Sequence, residues 1–161
     1  MRKIIVNSTP IIILCKTGNL EILKMLFHEI TIPQAVYNEV SAKDDGVKAA
    51  LDSALNWIHV EEIPSQSEKK MYQAKLHDGE VEVMILARKE ESSMVIIDDR
   101  AAKRAAEFLG LKVTGTLGVL VAAKEKGIIK AIKPILDDIK SNGFYIGEEL
   151  CEYLLRKVGE L

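Results

Sequence analysis

Met94-Val95-Ile96-Ile97-Asp98-Asp99-Arg100 is the stretch on which the reading of this chain turns. An unbroken apolar run rich in β-branched residues describes a strand buried on both faces, as in a parallel sheet. A helical pattern begins at Ala101, so the two acids stand just past the carboxyl end of that strand. Open α/β sheets carry their chemistry along that edge. Two adjacent carboxylates repel each other unless a cation, a donor or a proton relieves them. A plainer account has equal claim on the pair alone: Asp99 caps the following helix and Asp98 is solvated.

Outward from this strand the same alternation repeats. Lys3 to Asn7 reads as a short strand, and Ser8-Thr9-Pro10 as a helix start with a hydroxyl cap and proline in the first turn. That helix stops near Gly18, and Leu20 to Phe27 is amphipathic. Glu29 to Ile32 makes a strand, Pro33 opens a helix carrying Val36, Glu39 and Val40, and Asp44-Asp45-Gly46 turns the chain. A further helix runs to about Leu55, before a strand over Trp57 to Val60. Ser65 to Glu68 forms a capping box, and Asp78-Gly79 precedes a strong helix from Glu80 to Lys89. After the Met94 strand come a helix ending at Gly110, a short strand at Lys112 and Val113, and a helix opened by Thr114-Gly115-Thr116. Helices over Lys130 to Lys140 and Glu148 to Lys157 follow, with Phe144-Tyr145-Ile146 as a short edge strand between them. Repeated βα units with short connections predict an α/β fold with a mostly parallel sheet and helices on both faces.

The chain's 161 residues fit one domain spanning residues 1–161, long enough for a real core. The helices from about residue 130 are expected to pack on that domain or to form a dimer contact. A net charge of −2 argues against a polybasic binder. Cys15 and Cys151 are the only cysteines, too few for a disulfide framework or a cysteine zinc site, and they read as buried, inert thiols. His28, His59 and His77 lack metal-ligand spacing. The amino end is too short for a signal peptide, and no run approaches membrane-spanning length. The expectation is a soluble, cytoplasmic protein.

Further acids can converge on the Asp98-Asp99 edge. Glu39 sits near the border of the buried face of its helix. Glu80 shares a face with Val83, Met84 and Ala87. Glu82 points about 200° away around that helix, which argues against the two acids serving one site. A first-turn acid also complements the helix dipole, although an unpaired carboxylate on an apolar stripe is costly. Glu80, Asp98 and Asp99 make the best cluster, with Glu39 as a fourth member. Arg100, Lys103 and Arg104 follow the pair and could reach phosphates, or form an ordinary solvated helix face. Aromatic residues are few and not interleaved with basic ones, so the sequence supports no base-stacking platform.

These segments resemble, in order and over nearly the whole chain, the motifs of the PIN-domain family. Ile4-Ile5-Val6-Asn7-Ser8-Thr9-Pro10 looks like the family's opening, and Ile32-Pro33-Gln34-Ala35-Val36-Tyr37-Asn38-Glu39-Val40 is similar to its second motif. Gly79-Glu80-Val81-Glu82 resembles the third and Ile97-Asp98-Asp99-Arg100 the fourth. Asp98 to Ala102 and Val113 to Leu120 are particularly like a prokaryotic, uncharacterised branch related to toxin–antitoxin nucleases.

The resemblance implies a three-layer α/β/α sandwich and a Mg²⁺- or Mn²⁺-dependent ribonuclease acting on single-stranded or structured RNA. A toxin held by an antitoxin protein, and a homodimer, are among its implications. By carry-over, Glu39, Glu80 and Asp99 are the metal-binding acids, with Asn7 as a further ligand and Asp98 supporting catalysis. Ser8 or Thr9 would donate a hydrogen bond near the metal or phosphate. Arg100 would meet substrate, and Thr114 and Thr116 would open a helix whose amides hold a phosphate or are simply capped. Hard divalent cations suit this chemistry, because a few carboxylates, waters and a substrate phosphate complete their coordination.

One position departs from the family. Asn7 stands where an aspartate is usual, and an amide oxygen can ligate a metal but brings no charge. The alternative reading is therefore a weak or inactive PIN domain that binds nucleic acid or protein without cutting. A phosphoacceptor receiver domain falls far behind, because it needs an acidic pair where this chain has Asn7-Ser8. The RNA target, the antitoxin and the number of metal ions are not encoded in any motif.

Overall fold

Ile4, Ile5 and Val6 are all buried. Alternate side chains of a strand point to opposite faces, so three buried in succession require cover on both sides of the sheet. A computed structural model describing residues 2–72, 76–90 and 93–161 supplies that cover. Its five strands are β1 (Ile4–Val6), β2 (Ile30–Pro33), β3 (Ile58–Glu61), β4 (Met94–Ile96) and β5 (Lys112–Thr114). All pair in parallel, in the order β3-β2-β1-β4-β5.

Ten helices are present among the described residues. They are α1 (Ser8–Lys16), α2 (Glu21–Phe27), α3 (Gln34–Ser41), α4 (Val47–Asp52), α5 (Gln66–Tyr72), α6 (Asp78–Arg88), α7 (Arg100–Phe108), α8 (Thr116–Glu125), α9 (Lys133–Ser141) and α10 (Glu148–Lys157). The fold is the expected α/β sandwich around a parallel sheet. Helix α6 is buried from Gly79 through Ala87 and packs along β1, β2 and β4. A helix enclosed on all sides belongs to the core rather than the surface. Burying each large apolar side chain such as Ile5, Leu86 or Ile96 contributes roughly 1.5–3 kcal/mol. Helices α9 and α10 send Ile135, Leu136, Ile139, Leu154 and Leu155 into the same core. Their end is fastened by Glu160, which accepts from Lys124 Nζ at 2.7 Å and from the Ile132 and Lys133 amides at 2.8 and 3.0 Å. No helix among the described residues is long and apolar enough to cross a membrane.

Strand order locates the chemistry. From β1 the chain moves outward to β2 and β3, whereas β4 and β5 lie on the other side. The β1–β4 boundary is therefore the switch point, where the following connections diverge and leave a crevice. Val6 pairs with Ile96 in register, and the Asn7 amide donates to the Ile96 carbonyl at 3.0 Å. Asn7 and the Ile97-Asp98 segment thus leave the sheet side by side.

Four sequence expectations change. The first strand is shorter than Lys3 to Asn7, and helix α1 begins at Ser8 with Asn7, not a hydroxyl residue, at its N-cap. Phe144-Tyr145-Ile146 is not a strand: β5 pairs only with β4, while Phe144 and Ile146 pack against the core. Gly143, at φ 88°, turns the chain out of α9. Helix α9 starts at Lys133 rather than Lys130 because Pro134 occupies its first turn, where proline's missing N–H costs nothing.

Candidate active site

An asparagine at an N-cap usually accepts a hydrogen bond from the first turn of its helix. Asn7 does not. Its side chain is buried, 4% exposed, and its Oδ1 has no hydrogen-bond partner. A buried amide oxygen left in that state costs about 1–3 kcal/mol. The oxygen faces α6 at Gly79. A Cβ on Gly79 would stand 3.1 Å from Val36 Cγ2, 3.4 Å from Asn7 Oδ1 and 3.7 Å from Glu39 Oε1. The absent side chain lets α6 approach closely, with the Asn7 amide oxygen and the Glu39 carboxylate both bordering that approach.

Glu39 is exposed on α3 and lines a cleft of about 660 Å³ with Asp78, Glu82, Glu62 and Lys69. Glu82, which helical spacing set aside, is buried in this wall at 4% exposure. Its Oε1 accepts from the Ala35 amide at 3.0 Å, and its Oε2 meets Lys69 Nζ at 2.9 Å. Lys69 also lies 3.8 Å from Asp78 Oδ1. Glu82 thereby ties α6 to the first turn of α3 and to α5. Glu82→Ala would strand the Ala35 amide and leave Lys69 without its closest counter-charge. The expected loss is about 2–3 kcal/mol in denaturant unfolding, with Glu82→Gln losing less because it keeps the Ala35 bond. Equal stability of Glu82→Ala and the parent chain would contradict this account.

The remaining predicted residues take separate places. Glu80 is buried, and its Oε1 accepts from the His77 amide at 3.1 Å, closing the N-terminus of its own helix. Asp98 is not simply solvated. Its Oδ1 accepts from the Thr116 amide at 2.7 Å and its Oδ2 from the Thr116 hydroxyl at 2.6 Å. Asp99 is the N-cap of α7 and accepts from the Ala102 amide at 2.9 Å. Ser8 is buried at the start of α1. Thr9, Asp98, Arg100 and Thr116 line a second cleft, of about 750 Å³. Thr114 ends β5, with its side chain against Gly118. The predicted acids therefore divide between the α3/α6 side and the α7/α8 side of the crevice. Among the described residues no three His, Cys, Asp or Glu side chains are grouped closely enough to hold a metal ion. Asn7 Oδ1 and Glu39 Oε1, which both border the Gly79 approach, are two oxygens, and Mg²⁺ is commonly held by one or two carboxylates plus phosphate and waters.

A family model described as a PIN domain matches residues 3–160. The chain belongs to the PIN-domain family. PIN domains have a nuclease-type fold, generally act on nucleic acid and typically use divalent metal ions. Among solved structures, this PIN domain is similar to a PilT N-terminus domain protein from the hyperthermophilic archaeon Sulfolobus solfataricus P2. The two share 17% identity at a TM-score of 0.49, over 74% of this chain and 92% of that one. No curated protein matches the chain.

Sequence reasoning missed Gly79, Lys69 and the role of Glu82. Gly79 was readable only as a break before a helix. Glu82 finds its partners at Ala35 and Lys69, on other elements, so no local periodicity signals it.

Proposed function

We propose that this PIN domain is a divalent-metal-dependent endoribonuclease, acting as the toxin of a toxin–antitoxin module. The observation that carries the proposal is the buried, unpartnered Asn7 Oδ1 beside the Glu39 carboxylate. An oxygen kept dry and unsatisfied next to an acid is a donor set awaiting a cation.

Asn7 and Glu39 would hold Mg²⁺ or Mn²⁺, while Glu80 and Asp99, each capping its own helix, would stand in the two walls of the crevice. A bound divalent ion supplies charge neutralisation at the scissile phosphate and lowers the pKa of a coordinated water. Glu39, being exposed, can take the proton released by the attacking water. Asp98, held by Thr116 at the β4 edge, orients the second wall of the crevice. The exposed Thr9 hydroxyl donates to a phosphate oxygen, while Ser8 and Thr114 shape the wall behind it. Arg100 draws the flanking phosphates toward the crevice by charge. An antitoxin would act by covering this edge. Leu150 and Tyr153, exposed on α10, would serve a homodimer contact, and the site of action would be the cytoplasm.

A second reading is favoured by one observation: the neutral Asn7 and the lack of a three-acid group among the described residues. It makes the chain a PIN domain that binds RNA without cutting it. Incubating a mixed RNA pool with the full chain and Mn²⁺ or Mg²⁺, against a chelator control, separates the two. Fragments that appear only with metal support the nuclease. Intact RNA that is nevertheless retained by the protein favours the binding module.

A further inference from the structure

The cleft on the Asp98 side holds features that the catalytic reading does not use. One wall is the irregular segment between α9 and α10, where Phe144 and Ile146 pack against the core. Tyr145 between them is 93% exposed. The anchored neighbours hold the backbone on both sides of an aromatic ring that the fold itself does not bury. The facing wall carries Arg100 and Lys103 from α7, and Thr9 and Asp98 join the cleft to the β1–β4 crevice. Two acids also border it. Asp98 accepts from the Thr116 amide and hydroxyl, and Glu149 sits in the first turn of α10, where the helix dipole favours an acid. The cleft therefore joins two cationic side chains, balanced by two acids, to an aromatic and apolar segment. The volume of about 750 Å³ is within the range of small-ligand sites.

We infer that this cleft is a base-binding subsite: an unpaired nucleotide flanking the scissile bond stacks its base on Tyr145 and sets its phosphate on Arg100 and Lys103. The inference rests on the nucleic-acid reading above and deepens it. A purely apolar ligand would leave the Arg100 and Lys103 side of the cleft unused, and a bare anion would leave the aromatic wall unused. A nucleotide satisfies both. Stacking is open to any base, because every base has a π-face. A base held inside a duplex cannot reach the ring, so the subsite selects single strands.

Because Tyr145 is exposed, its truncation does not disturb the core. The test is binding of a short fluorescent RNA to the full chain by anisotropy, in chelator so that nothing is cut. Tyr145→Ala should weaken single-strand binding about tenfold or more, Tyr145→Phe should leave it unchanged, and a fully paired duplex should bind weakly to all three. One abasic nucleotide, walked along the RNA, should reproduce the loss at a single position. At that position Tyr145→Ala should add nothing further, as expected of two halves of one contact. With metal present, the same variant should raise KM for RNA and spare hydrolysis of a small phosphodiester lacking bases.

Unchanged RNA binding in Tyr145→Ala would overturn the subsite, as would abasic losses that simply add to the variant's. Capture of an apolar peptide but no RNA would overturn it in favour of a protein interface. Failure of the nuclease reading has a different signature, since it shows as no metal-dependent cutting by the parent chain whatever Tyr145 does.

Discussion

Glu39→Gln is expected to lower metal-dependent RNA cleavage by about two to three orders of magnitude, the scale of losing one preorganised electrostatic group. It should leave the thermal midpoint of the metal-free chain where it was. The two halves of this expectation come from the same geometry. Glu39 is exposed on α3, so no desolvated partner depends on its charge for stability. Its Oε1 nevertheless lies at the Gly79 approach beside the only unsatisfied oxygen of Asn7. The amide of the variant keeps the shape of the side chain but removes the carboxylate that borders the Gly79 approach. Affinity for Mn²⁺, followed by titration calorimetry, should fall together with kcat/KM. A variant that cuts RNA at the parent rate would remove Glu39 from the chemistry and with it the proposed centre.

Asn7→Asp is expected to act with opposite signs in the two metal states. Without metal, the new carboxylate would be buried, without a donor and beside Glu39. Burial and the like charge both favour its protonated form and raise its pKa. A group whose folded pKa is raised contributes stability below its unfolded value and loses it as pH rises through the folded value. The metal-free variant should therefore weaken as pH rises above the ordinary carboxylate range, by about 2–3 kcal/mol at neutrality. With Mn²⁺ the same charge becomes a ligand, so the thermal midpoint should recover and rise beyond that of the parent with metal. Cleavage should increase about tenfold or more. An identical metal-induced shift in both proteins would mean that position 7 does not face the ion. Cutting by the variant alone would identify the parent as a binding module whose catalysis rests on one missing charge.

The sheet was legible because its strands are continuous apolar runs. Val95 to Ile97 and Ile4 to Val6 have the burial on both faces that their composition requires. Helix α6 was visible for the same reason. Boundaries were less so: the hydroxyl of Ser8 looked like a cap, yet backbone geometry gave that position to Asn7. A short β-branched and aromatic run, Phe144 to Ile146, imitates a strand but packs Phe144 and Ile146 against the core instead of pairing. At the site, both readings of the acidic pair were partly right. Asp99 does cap its helix, whereas Asp98 is half-buried and tied to Thr116 on another element. No spacing rule reaches across that distance. The same limit hid the base-binding wall: Arg100 and Tyr145 are far apart in the chain and face one cleft only after α9 and α10 have packed.

The bond from the Ala35 amide to Glu82 has a use beyond stability. Most helical amides exchange with solvent when their own helix frays, but a first-turn amide has no partner within its helix. Ala35 is shielded instead by a side chain of α6. Its hydrogen-exchange rate therefore measures how often α3 and α6 part, and that parting is the motion that would pull Glu39 away from Gly79 and Asn7. One backbone proton, a helical turn from Glu39, serves as a native timer for opening of the candidate crevice.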